Sequence, residues 1–154
     1  MEHSNSYQSF FRGLTIIHYA LIAGLLLFSA VVHFLGMVSE DDSLHQVFRF
    51  LVPAFAIMAI LSGRLVSRKL LSTAKQQSSL NDKLAIFRAA SMLSWSTIEG
   101  AGLFATVIYM LTSNQVMLLV ALACAAYLFT LRPTPERAAA DLQLTEGEYR
   151  EISR

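Results

Sequence analysis

Residues 14–38 read LTIIHYALIAGLLLFSAVVHFLGMV, 25 consecutive positions without Asp, Glu, Lys or Arg. A helix rises about 1.5 Å per residue and the hydrocarbon core of a bilayer is about 30 Å thick, so about 20 such residues suffice to cross it. No water is present there to satisfy backbone groups, which makes the helix the form this run must take. Three further runs follow. Residues 50–66 hold Pro53 near their start and Arg64 near their end, and residues 89–111 enclose Glu99. Residues 116–131 are a little short, with Gln115 and Arg132 placed to extend or snorkel at the ends. The pattern predicts an all-α, polytopic membrane protein with four transmembrane helices.

Composition agrees with that pattern. Of 154 residues, 55% are apolar and 15% charged, against about 45–50% and about 25% in an ordinary soluble domain. The charges gather in short connectors between uncharged runs. Disorder is excluded, and so is a disulfide scaffold, because Cys124 is the single cysteine and lies inside an apolar run. A net charge of +1 supplies no field for a polyanion, so no nucleic acid is expected as a partner.

Basic residues set the expected orientation. Arg12, the stretch from Arg64 to Arg88 and the tail from Arg132 onward carry all but one of the 12 Lys and Arg residues. Only Arg49 falls on the other side, next to Glu40, Asp41 and Asp42. By the positive-inside rule both termini face the cytoplasm, as expected of a bacterial cytoplasmic (inner) membrane protein. The first run is longer than a signal-peptide core and reads as a retained span. Neither a myristoylation nor a prenylation signal is visible. The organisation is then a cytoplasmic arm at 1–13, a four-helix transmembrane domain at 14–131 and a short helical cytoplasmic tail at 132–154.

The connectors carry helix punctuation. The second run keeps helical composition to Lys75, Gln76-Gln77-Ser78-Ser79 breaks it, and Asn81 or Asp82 is placed to cap the next helix. Thr112-Ser113-Asn114-Gln115 is short enough to make an antiparallel hairpin of the third and fourth runs. In the tail, Thr134 followed by Pro135 reads as an N-cap with proline at the first helical position. Thr145 with Glu148 three residues on reads as a capping box. An apolar strip of Ala138–Ala140, Leu142 and Leu144 needs a surface to dock on, and its acidic neighbours complement the basic stretch from Leu65 to Arg88.

Within a bilayer, helices associate through small residues that let backbones approach. Such pairs at four-residue spacing recur: Ala20 with Gly24, Ala59 with Gly63, Ser96 with Gly100, Gly102 with Thr106, and Ala121 with Ala125. The third run carries them on more than one face, which makes it the expected central helix. The first two runs, richer in Leu, Phe and Ile, are expected to face lipid.

Glu99 is the residue that points to chemistry. It lies near the middle of the third run, about 15 Å from either end, where a carboxylate costs at least about 2.5–3.5 kcal/mol and is protonated, paired or near water. Ser96 and Thr106 share roughly its helical face and are expected to hydrogen-bond it, the three together forming an ion-binding group. The segment Ile98-Glu99-Gly100-Ala101-Gly102-Leu103-Phe104-Ala105 resembles the carboxylate-bearing helix of the c subunit (proteolipid) of rotary ATP synthases, the similarity covering residues 84–111. That resemblance implies a Glu99 that binds H⁺ or Na⁺.

Other polar residues suggest less. His18 and His33 are too far apart along one helix, about 22 Å, to ligate one haem, and no other run holds a histidine, so a haem-bearing subunit needs two copies of the chain. His45 with Glu40, Asp41 and Asp42 is a weak divalent-ion site or a solvated turn. Trp95 sits one turn from Glu99, away from the interfacial belt where tryptophan collects, and reads as core packing. No nucleophile–base pair, phosphate loop or metal-ligand spacing occurs, so neither enzyme activity nor a cofactor is expected. The functional expectation is a small integral membrane protein acting as an oligomer or as a subunit of a larger membrane assembly. Its rival is proton or cation translocation through Glu99.

Overall fold

The computed structural model describes the backbone of residues 2–36 and 42–153 and the side chains of residues 7–36 and 46–153. Among the described residues the chain is all helix and turn, without strand: α1 (Glu2–Leu35), α2 (Asp42–Ala74), α3 (Leu80–Thr112), α4 (Gln115–Thr130), α5 (Pro135–Leu142) and α6 (Glu146–Ser153). α1 already begins at Glu2, so the arm at 1–13 is mostly its first turns.

Two of these helices are long and apolar enough to cross a membrane, α1 over 7–35 and α2 over 46–74. α3 equals α2 in length at 33 residues, but Ser94, Ser96, Thr97, Glu99 and Thr106 dilute its middle. α4 has 16 residues, about 24 Å of helix. A third candidate arises only if α4 and α5, bent by 83°, count as one span.

The helix ends follow local chemistry. α2 stops at Ala74, just ahead of the Gln-Ser stretch. α3 starts two residues earlier than Asn81, or three earlier than Asp82, would set it: extended Ser79 occupies the N-cap without a side-chain bond. Asn81 is diverted, its side-chain oxygen accepting from the Tyr7 hydroxyl at 3.3 Å, while Asp82 falls in the first turn, where the helix dipole favours an acid. Between α3 and α4, Ser113 turns the chain in the left-handed region at φ 52°. Asn114 then caps α4 by accepting from the Val116 amide at 3.0 Å.

The tail caps form as its sequence requires. Thr134 Oγ1 accepts from the Arg137 amide at 3.2 Å, with Pro135 opening α5. The capping box of α6 closes from both sides, Glu148 Oε2 accepting from the Thr145 amide at 2.8 Å and Thr145 Oγ1 from the Glu148 amide at 3.4 Å.

α3 is the central element, packed against α1, α2, α4 and α5, whereas α1 and α2 share no extensive contact among the described residues. The outer faces of α1 and α2 are accordingly apolar and exposed, as at Leu27, Phe34, Phe50 and Met58, the surface that lipid would cover. α5 packs on α2 and α3, and α6 packs on α1. Ala138, Leu142 and Ile152 are buried in the same cluster as Phe11, Leu84 and Phe87. Lys83 donates to Glu148 at 2.6 Å, fastening the tail to the start of α3. The Lys83 bond, then the Thr145 amide, hold the Glu148 carboxyl below its ordinary pKa.

Candidate functional site

Glycines decide how closely α3 is approached. A Cβ on Gly102 would stand 2.6 Å from Leu25 Cδ2 and 3.2 Å from Cys124 Cβ, so α1 and α4 meet α3 where that side chain is missing. A Cβ on Gly63 of α2 would stand 3.6 Å from the Ser94 backbone, an ordinary contact. Gly100 has nothing within 4 Å of the place its Cβ would take. It lies with exposed Ser96 on the strip of α3 that the other helices leave open.

Glu99 borders that strip. Its side chain is half-buried, and Oε1 lies 3.9 Å from the position of a Cβ on Gly24 of α1. The small pair Ala20–Gly24 thus makes room for a carboxyl between α1 and α3. Neither Ser96 nor Thr106 hydrogen-bonds it. Ser96 is exposed. Thr106, seven residues on and about 10 Å higher along the axis, is fully buried and engaged elsewhere: its hydroxyl donates to the Gly102 carbonyl at 3.1 Å and pairs with Ser29 Oγ at 2.8 Å. A threonine hydroxyl in a helix finds its own preceding carbonyl first, and Ser29 satisfies what remains. Among the described residues Glu99 has no hydrogen-bond or ion-pair partner.

Thr106 belongs instead to a polar seam along α1 and α3. Ser29 and Thr106 are 77 positions apart in sequence. His33 and Tyr109, 76 apart, come together at 2.8 Å between Nδ1 and the hydroxyl. His18 and Trp95 stand at the same offset as Ser29 and Thr106, ring centroids 4.6 Å apart. A constant offset means that α1 and α3 run parallel and in register. From the level of Trp95 to that of Tyr109 the seam covers about 21 Å. Thr106 has one hydroxyl proton and gives it to Gly102, so Ser29 is the donor to Thr106.

Two of these residues carried no role in the sequence, Ser29 and Tyr109. Their signal was available: Ser29 and His33 are four apart on an apolar helix, Thr106 and Tyr109 three apart on another, each pair on one face. His18 is completely buried, and neither ring nitrogen has a hydrogen-bond partner among the described residues. Trp95, 2% exposed, is core. At the end of the bundle that holds the tail, the Arg64 guanidinium stacks over the Tyr127 ring at 5.2 Å. A water-sized cavity of about 30 Å³ is lined there by Ser91, Ser94, Trp95, Arg137 and Asp141. No group of three or more His, Cys, Asp or Glu converges among the described residues. The side chains of Glu40, Asp41, Asp42 and His45 lie outside the described residues. No family model, curated protein or solved structure matches the chain.

Proposed function

We propose that the chain is a four-span integral membrane protein that works as an assembled unit, as a homo-oligomer or as a small subunit of a larger membrane complex. In this reading it sits in a bacterial cytoplasmic membrane, and the positive-inside rule, applied to its basic residues, places both termini inside. One observation carries the reading: Glu99 has no partner within its own chain among the described residues, and the four-span reading puts it at the midplane of a span. A carboxyl in hydrocarbon demands a partner. Beside it the open strip of Ser96 and Gly100 allows a second helix to approach closely. A neighbouring chain seated on that strip satisfies Glu99 and buries the small residues together.

The experiment is the mass of the purified protein in mild detergent, by native mass spectrometry. Wild type is expected to be larger than one chain. Gly100→Leu, which meets no atom of its own chain within 4 Å at the first carbon, is expected to reduce it to the monomer with helicity intact. A monomeric wild type without bound partner, or an assembly indifferent to Gly100→Leu, overturns the reading.

A second reading is favoured by the same residue's depth. Glu99, as the resemblance of residues 84–111 to rotary ATP synthase proteolipids implies, carries H⁺ or another cation across the membrane. Glu99→Gln in proteoliposomes separates the two readings: unchanged flux with intact assembly leaves the structural role alone standing.

A further inference from the structure

We infer that the α1–α3 seam is a proton path, with the His33–Tyr109 pair as its port at one membrane surface, Glu99 as its station at mid-depth, and His18 as the buried relay beyond Glu99. This rests on the reading in which Glu99 carries a proton. His18, Ser29, His33, Glu99, Thr106 and Tyr109 line one interface, in register, over about 21 Å of a hydrocarbon core about 30 Å thick.

The two ends differ, one exposed and one buried. His33 is exposed at the end where α1 stops, and its Nδ1 is 2.8 Å from the Tyr109 hydroxyl, itself nearly buried. Inward of it, Ser29 donates to Thr106, which donates to the Gly102 carbonyl. This oriented pair of hydroxyls is one turn from Tyr109 and leads toward Glu99. Glu99 Oε1 lies 3.9 Å from the place a Cβ on Gly24 would take, so no side chain at that position stands between its carboxyl and α1. One turn further lies Trp95, against which His18 is held with both nitrogens unpartnered. Beyond Trp95 lies the water-sized cavity that Arg137 and Asp141 also line.

The transfer balances without any oxidant or cofactor. His33 takes a proton from the medium on Nε2 and releases the one on Nδ1 to the Tyr109 oxygen, whose own hydroxyl proton passes to water. Water that enters past Leu25, which packs on Gly102 between Thr106 and Glu99, bridges the interval and protonates the Glu99 carboxylate. Glu99 returns the proton through water to one nitrogen of His18, which releases a proton from the other by way of the water-sized cavity beside Trp95 to the medium beyond. Only O–H and N–H bonds form and break, and one proton moves from side to side.

The test is proton uptake by phosphatidylethanolamine–phosphatidylglycerol vesicles loaded with a pH-sensitive dye, with a potassium diffusion potential as the driving force. Wild type is expected to acidify the lumen and Glu99→Gln to stop it. His33→Ala and Tyr109→Phe are expected to slow it by about tenfold or more, and imidazole in the medium is expected to restore the His33→Ala rate. The Tyr109→Phe variant loses one oxygen, and its circular-dichroism melt reports whether the fold survives. Wild type and Glu99→Gln conducting alike, including neither exceeding empty vesicles, overturns the inference together with the reading beneath it. Flux that needs Glu99 but runs at the wild-type rate in His33→Ala and Tyr109→Phe overturns the seam alone.

Discussion

At the scale of single residues the two glycines of α3 make opposite predictions. Gly102 is where Leu25 and Cys124 press against the helix, the nearest atom being 2.6 Å from a would-be Cβ. Gly102→Val forces two packed helices apart and is expected to cost about 1–3 kcal/mol. Gly100 has open space, so in monomeric detergent Gly100→Ala is expected to gain up to about 1 kcal/mol by restricting the unfolded backbone. Thermal unfolding followed by circular dichroism ranks them, and equal melting temperatures for the two variants refute the packing account. Both glycines look alike in sequence, since each belongs to a small-residue pair at the same spacing. Which one is pressed depends on where α1 and α4 cross, and no local pattern records that. That Thr106 does not serve Glu99 was hidden for a related reason. Thr106 shares its helical face, but hydroxyls reach about 3 Å and the interval is about 10 Å, so Ser29 of another helix decides.

Elements were far more legible, because a cap is local chemistry. Thr134-Pro135 and Thr145…Glu148 specify helix starts from side chains within three residues of one another, and both caps are made. Asn81 was not legible as a non-cap, since Tyr7 of a distant helix claims it. The docking of the tail yields the element-scale prediction. Ala138 and Leu142 are almost fully buried and Lys83 holds Glu148, their side chains 12% and 20% exposed. Hydrogen exchange of the isolated protein in detergent is therefore expected to be slow across residues 138–144. The carboxyl of Glu148 is held below its ordinary value, foremost by Lys83. Its contribution is thus complete above about pH 4.3 and is lost as the pH falls through the lowered value. Exchange in α6 should speed up on acidification, and Glu148→Gln should abolish that pH dependence at a cost of about 1 kcal/mol. Rapid exchange of the tail at neutral pH would show an arm waiting for a partner instead of an internal clamp.

For the whole molecule the decisive quantity is how many helices cross the bilayer. Taken singly, α1 and α2 qualify, whereas α3 is diluted by polar residues and α4 is short. Register supplies the missing argument. α1 and α3 run parallel, tied by Ser29 to Thr106 and by His33 to Tyr109. A helix bonded in step with a membrane-crossing neighbour sits at the same depth as that neighbour. α3 can be polar because the hydroxyls of Ser94, Thr106 and Thr112 are buried among the other helices and Glu99 is half-buried beside α1, which leaves Ser96 on the open strip. If α3 crosses, the tight turn at Ser113 obliges α4 to return, and 16 residues with Arg132 snorkelling beyond them come close to spanning. Single-cysteine labelling checks this directly, because Cys124, the chain's own cysteine, is buried. In intact cells a membrane-impermeant maleimide is expected to modify Ser113→Cys and to reach Ser78→Cys only after permeabilisation. The opposite result reverses the orientation. Labelling of both positions from the same side removes α3 and α4 from the membrane-crossing set, and with them the midplane position on which the reading of Glu99 depends.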